Sequence, residues 1–138
     1  MPPLDRFVNS TEFYVRYVET DQMRIVNHAH YISWLEESRS EYARARGSDY
    51  ADFEREGVAL AVVEVHVNYK SPARYGDRIR VTCWIEELKS RLMRFSYEVH
   101  NAKTGLLLVT ATTRHVCINL ETGAAAVIPE KWRTAMLE

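Results

Sequence analysis

A chain of 138 residues accommodates one globular domain and leaves little room for a second, so residues 1–138 are read as a single unit. Its 46% hydrophobic and 27% charged residues suit an ordinary packed core, and a formal net charge of −1 gives no electrostatic case for nucleic acid or an anionic membrane as the main partner. No stretch approaches the roughly 18 uninterrupted apolar residues of a membrane span.

Residues 1–10 lack the basic start and apolar run of a secretory leader. Residues 12–18 form a short aromatic and β-branched run, a predicted first strand, and a polar stretch follows to Asn27. Residues 29–46 contain no Pro or Gly and are rich in Glu, Arg, Ala and Leu, which predicts the one long helix. Tyr31, Trp34, Leu35, Ser38, Tyr42 and Ala45 recur at spacings of three and four and define its predicted inner face. Asn27 is a suitable N-cap and Gly47 a suitable stop. Residues 48–57 read as a polar connection.

Strands dominate beyond it. Val63, Val65, Val67 and Tyr69 alternate with polar neighbours, as do Ile79, Val81, Cys83 and Ile85, then Met93, Phe95, Tyr97 and Val99. Leu107, Val109, Ala111, Thr113, His115 and Cys117 share one face of a last long strand. Period two repeated this often predicts an antiparallel sheet with one covered face, its last four strands in meander order. Pro129 opens a predicted short terminal helix. The outcome is an α+β domain whose long strand edges predict pairing into a homodimer or homotetramer. Cys83 and Cys117 lie far apart, away from any CxxC or His cluster. They read as buried thiols of a cytoplasmic protein, with no metal site and no disulfide.

The densest group of reactive side chains runs from Tyr17 to Tyr31, where strand, polar loop and helix start meet. Asp21 is placed to lie beside the unpaired N–H groups of the first helical turn, which carry the positive end of the helix dipole. A carboxylate supplies a nucleophile or a base for water, and such N–H groups hold a developing oxyanion. That kit suits hydrolysis of a thioester. An ordinary turn aspartate fits the same local pattern. His28 and His30 stand two apart, the wrong spacing for a metal on one helical face.

The run Arg16-Tyr17-x-Glu19-Thr20-Asp21-Gln22-Met23, followed by His28-Ala29-x-Tyr31, resembles the signature of the 4-hydroxybenzoyl-CoA thioesterase superfamily. The segments Tyr69–Asp77 and His115-Val116 are similar to two further recurrent pieces, and the branch most similar is that of the Tol–Pal-associated acyl-CoA thioesterases. The resemblance implies a hot-dog fold, in which a curved antiparallel sheet wraps the long helix. It implies hydrolysis of acyl-CoA without a cofactor, with Asp21 as the catalytic acid, Tyr17 beside it and the backbone N–H of His28 polarising the carbonyl. Tyr31 would help to bind substrate, and Lys89, Ser90 and Arg91 would contact the nucleotide phosphates. A hydrolase for carrier-protein thioesters and a non-catalytic acyl-CoA binder are the alternatives. Arg24 departs from the family pattern, which has glycine there. If that position needs φ > 0, Arg24 must strain or reshape the loop. It could also reach a substrate phosphate or carboxylate, or simply be solvated.

Overall fold

The computed structural model describes residues 2–47 and 50–137. In chain order they form β1 (Val8–Tyr14), a 3₁₀ turn (Tyr17–Glu19), α1 (His28–Ala45), α2 (Tyr50–Arg55), β2 (Val58–Tyr69), β3 (Arg78–Leu88), β4 (Leu92–Asn101), β5 (Leu107–Asn119) and α3 (Glu130–Leu137). The five strands make one antiparallel sheet in the order β1-β3-β4-β5-β2, curved around α1. This is the hot-dog architecture. Among the described residues no helix is long and apolar enough to cross a membrane.

Helix α1 starts where Asn27 accepts a hydrogen bond from the Ala29 N–H at 3.0 Å. It buries Tyr31, Trp34, Leu35, Ser38, Arg39, Tyr42 and Ala43, a stripe repeating at three and four residues. Ala45, predicted for this face, shares the azimuth of Trp34 and Ser38 but is exposed, because it is the last residue of α1. The opposing layer is supplied by alternate residues of three strands: Ile79, Val81, Cys83 and Ile85, then Met93, Phe95, Tyr97 and Val99, then Val109, Ala111 and Cys117. Trp34 meets Phe13, and Tyr42 meets Phe7 and Phe95, with ring centroids 5.0–5.5 Å apart. Irregular register beside Glu64, Glu87 and His100 interrupts the ladders, as bulges that add twist do.

Three expectations are corrected. The first strand lies earlier than residues 12–18: Val15 still donates its N–H to the Asp77 carbonyl in register with β3, but Arg16 turns to meet Glu19 and residues 17–19 form the 3₁₀ turn. The connection after α1 contains a helical turn, α2, whose Phe53 is buried against Trp132 of α3. The strand order is not a four-strand meander: β2 pairs with β5 at the far edge instead of with its sequence neighbour β3. Only β3, β4 and β5 follow hairpin order. Period-two alternation defines strands and their faces but carries no information about which strand is the neighbour.

Cys83 and Cys117 are buried free thiols, as the sequence predicts. The core also encloses a polar chain. Arg39 of α1 donates to the Tyr97 hydroxyl at 3.4 Å, which lies 2.5 Å from Thr113 Oγ1, itself 2.9 Å from His115 Nε2. Burial, reinforced by the charge of Arg39, pushes the His115 pKa down to about 3, so its imidazole is neutral.

Candidate active site

Beyond β1 the chain makes two tight turns before entering α1, and one buried carboxylate organises the first. Glu19 is 2% exposed. Its Oε1 accepts from the Arg16 N–H at 2.8 Å, and its Oε2 accepts from the Trp34 indole N–H at 2.8 Å and from the Arg16 guanidinium at 3.3 Å. Burial alone would raise its pKa, but the three donors outweigh it and hold the carboxyl below its ordinary value. The Glu19 carbonyl also accepts from the Asn27 N–H at 3.0 Å. One residue thus ties the turn to the core of α1 and to its N-cap. The motif contains Glu19, yet its role was not read from sequence, since nothing local marks a glutamate on a polar loop as buried.

The second turn carries Asp21. Thr20 and Val26 form an antiparallel bridge, Arg24 N–H donates to the Asp21 carbonyl at 2.9 Å, and Asp21 N–H donates to Ile25 O at 3.0 Å. This matches a three-residue hairpin loop in which a turn is closed by a left-handed residue. That residue is Arg24, with φ of 65°. Arg24 therefore adopts the left-handed conformation that glycine favours, and the loop is not reshaped to avoid it.

Asp21 Oδ1 accepts from the Met23 N–H at 2.8 Å, which fixes the carboxylate on the turn. Its Oδ2 has no hydrogen-bond partner among the described residues. Asp21 lines an open recess of ≈ 890 Å³ with Tyr17, Val18, Thr20, Gln22, Arg24 and Tyr75. The Tyr17 ring is exposed and meets Tyr75 edge-on at 5.7 Å. Tyr17 and Asp21 are therefore brought together.

His28 and Tyr31 stand in a second recess of ≈ 240 Å³ that shares no lining residue with the first and is walled by Ile25, Val26, Tyr69, Lys70, Ser71 and Pro72. The His28 ring stacks on Tyr69 at 4.1 Å, while the Tyr69 hydroxyl donates to the His28 carbonyl at 3.1 Å. As the first residue of α1, His28 has an N–H that no partner takes up among the described residues, whereas the Ala29 and His30 N–H groups are both taken by Asn27. Tyr31 is almost fully buried, and its hydroxyl accepts from the Ala73 N–H at 3.2 Å, so it chiefly packs the wall.

Lys89, Ser90 and Arg91 form the turn between β3 and β4. Lys89 pairs with Glu87 at 3.4 Å, the Ser90 carbonyl accepts from Ile128 N–H at 2.7 Å, and the Arg91 carbonyl accepts from Cys117 N–H at 2.9 Å. Tyr14, which leads into the Asp21 segment, pairs with Arg78 at the opposite end of β3. The strand has 11 residues, so at about 3.3 Å per residue this turn stands roughly 30 Å from the Asp21 segment in one protomer. The structure does not bring these two groups together within one chain.

A model of the thioesterase-like superfamily matches residues 15–136. The chain belongs to that superfamily. This thioesterase-like protein is 39% identical over 114 residues to the putative acyl-CoA thioesterase YneP of Bacillus subtilis (strain 168), covering 83% of this chain and 82% of that one. A crystal structure of Slr0204, a 1,4-dihydroxy-2-naphthoyl-CoA thioesterase from Synechocystis, superposes with a TM-score of 0.88 at 26% identity, covering 94% and 96% of the two chains. The hypothetical protein TT1821 of Thermus thermophilus gives a TM-score of 0.86 at 38% identity over 92% and 95%.

Proposed function

We propose that this thioesterase-like protein hydrolyses acyl-CoA thioesters to the free acid and CoA, with Asp21 as nucleophile or general base. The observation that carries the proposal is Asp21, a carboxylate fixed on one oxygen and open on the other, on a turn closed by the Thr20–Val26 bridge two residues before His28, whose N–H is unpartnered among the described residues. Relatives named as acyl-CoA thioesterases support the reaction class. The similarity of the motifs to the Tol–Pal-associated branch supports that finer placement, and the buried thiols support a cytoplasmic location.

In this mechanism the thioester carbonyl oxygen accepts a hydrogen bond from the His28 N–H, which stabilises the oxyanion as the carbon becomes tetrahedral. Asp21 either adds to that carbon, expelling the CoA thiolate and leaving an anhydride that water then opens, or takes a proton from the water that adds. Both routes break the C–S bond and consume one water. Tyr17 borders the reacting carbon, and Tyr31 packs behind His28.

The separation between Lys89–Arg91 and Asp21 supports a homodimer. β2 is an edge strand of 12 residues, and its Val62, Val63, Val65 and Tyr69 are exposed. Antiparallel pairing of two β2 edges carries the 89–91 turn of one protomer to the end of the sheet where its partner's Asp21 segment stands. In that arrangement the cations at 89 and 91 hold the phosphates of CoA while the acyl group meets Asp21.

The test is thiol release from acetyl-, octanoyl-, palmitoyl- and benzoyl-CoA by the native protein and by Asp21→Asn. The variant is expected to fold and bind substrate with turnover at least about 100-fold lower. Wild-type rates in the variant would remove Asp21 from the mechanism. Saturable binding without thiol release from any substrate would make the protein a non-catalytic binder.

A further inference from the structure

Arg24 has no structural reason to be an arginine. All five glycines of the chain, at 47, 57, 76, 105 and 123, have positive φ, and Arg24 is the one non-glycine among the described residues that shares it. A side chain in this region crowds its own backbone, which is why glycine occupies the other five positions. No packing offsets that cost, since Arg24 is exposed, and among the described residues its guanidinium makes neither a hydrogen bond nor an ion pair. It does line the recess that holds Asp21, Tyr17 and Tyr75. A conformational cost retained by an unpaired cation on the wall of a reaction site points to a ligand for that cation.

The structure assigns Arg24, we propose, as a specificity residue that binds a carboxylate carried by the acyl group of the substrate. The inference rests on Asp21 being the residue that meets the thioester carbonyl.

Two anions of an acyl-CoA could meet Arg24, one on the acyl chain and one on the diphosphate, and reach decides between them. Asp21 and Arg24 are the ends of one tight turn, closed by the 2.9 Å bond from Arg24 N–H to Asp21 O, so their Cα atoms lie within about 7 Å of each other. Five bonds take a guanidinium roughly 6 Å from its Cα. A carboxylate a few bonds along an acyl chain falls inside that radius. The first phosphorus of CoA lies about 13 bonds from the sulfur, roughly 15 Å when extended, and departs on the opposite side of the carbonyl. There is also a reason for a cation here. An acyl carboxylate approaching Asp21 meets a like charge, and an arginine on the same turn offsets that repulsion. The edge-on Tyr17 and Tyr75 rings leave apolar surface for the methylenes between the two ends of the acyl chain.

The test compares pairs of equal acyl length, succinyl- with butyryl-CoA and glutaryl- with valeryl-CoA, in the native protein, Arg24→Gln and Arg24→Gly. The readout is the ratio of kcat/KM within each pair. It is expected to fall at least about ten-fold in both variants, which differ in backbone strain but share the loss of charge. A ratio within about two-fold of the native value overturns the inference, and an equal decline on both members of a pair assigns Arg24 to the CoA phosphates instead. Affinities for the non-hydrolysable thioethers S-(3-carboxypropyl)-CoA and S-butyl-CoA read the same ratio without turnover. An inactive protein would thus refute the hydrolase reading, while an unchanged thioether ratio in Arg24→Gln would refute this one.

Discussion

Replacing Glu19 with alanine should destabilise the protein by about 3 kcal/mol and loosen the Asp21 turn. The substitution removes the acceptor for three donors: Arg16 N–H at 2.8 Å, the Trp34 indole at 2.8 Å and the Arg16 guanidinium at 3.3 Å. The guanidinium contributes little, because its side chain is 72% exposed and finds water instead. The indole is different. Trp34 is 4% exposed, so its N–H loses an ionised acceptor and keeps the desolvation penalty, about 1–3 kcal/mol. The Arg16 N–H adds about 1 kcal/mol. For a chain of this size such a loss lowers Tm by roughly 10 °C. Glu19→Gln keeps one oxygen but sets an amide N–H against the indole or against the Arg16 N–H, so it should fall between alanine and the native protein. A double-mutant cycle of Glu19→Gln with Trp34→Phe, followed by urea unfolding, isolates the buried contact, for which about 1–2 kcal/mol of coupling is expected. Because the folded-state pKa of Glu19 lies below its unfolded value, its contribution is fully present above the unfolded pKa and disappears as pH falls through the folded one. The stability gap between native protein and Glu19→Gln should therefore shrink on acidification below about pH 4.5. A Glu19→Ala protein within about 0.5 kcal/mol of native, or zero coupling to Trp34, would refute the reasoning.

His115 gives a second pH signature: its pKa is depressed to about 3 in the folded state, so its neutral form stabilises the protein fully above pH ~6.5 and progressively less below it. Between those limits it contributes up to about 1.4 kcal/mol of lost stability per pH unit, and His115→Gln should unfold with a flatter dependence from pH 6.5 to 4.5; identical slopes would remove His115 as the cause. The native protein is expected to have twice the chain mass or a multiple of it at micromolar concentration by light scattering. A monomeric mass would leave the β2 edge and the 89–91 turn without their proposed roles.

The reading of α1 from sequence succeeded because its stripe of large residues needs nothing but helical periodicity, and the cap and stop are local chemistry. The faces of β3, β4 and β5 were legible for the same reason, as residues two apart must share a side of the sheet, whereas Val63, Val65 and Tyr69, the face predicted for β2, are exposed on the sheet edge. Placement of β2 was not, because pairing β2 with β5 depends on how the chain crosses over the helix. The α2 turn was hidden for a related reason: its stabilising contact, Phe53 on Trp132, spans most of the chain.

Around Asp21 the division is sharpest. The sequence by itself determined which residues compose the motif, that an acid precedes a helix entrance, and that Arg24 would face a choice between strain and rearrangement. Only the tertiary structure decided that choice: the 20–26 hairpin that holds Arg24 at a φ of 65° is itself anchored by the Val26 N–H on the Ala73 carbonyl and by the Trp34 indole on Glu19. It also decided that Glu19 is buried while Asp21 is open, although both are acids two residues apart in one polar run. The physical reason is that burial and free hydrogen-bonding capacity belong to the surroundings of a group, here an indole arriving from α1, and no local pattern encodes them.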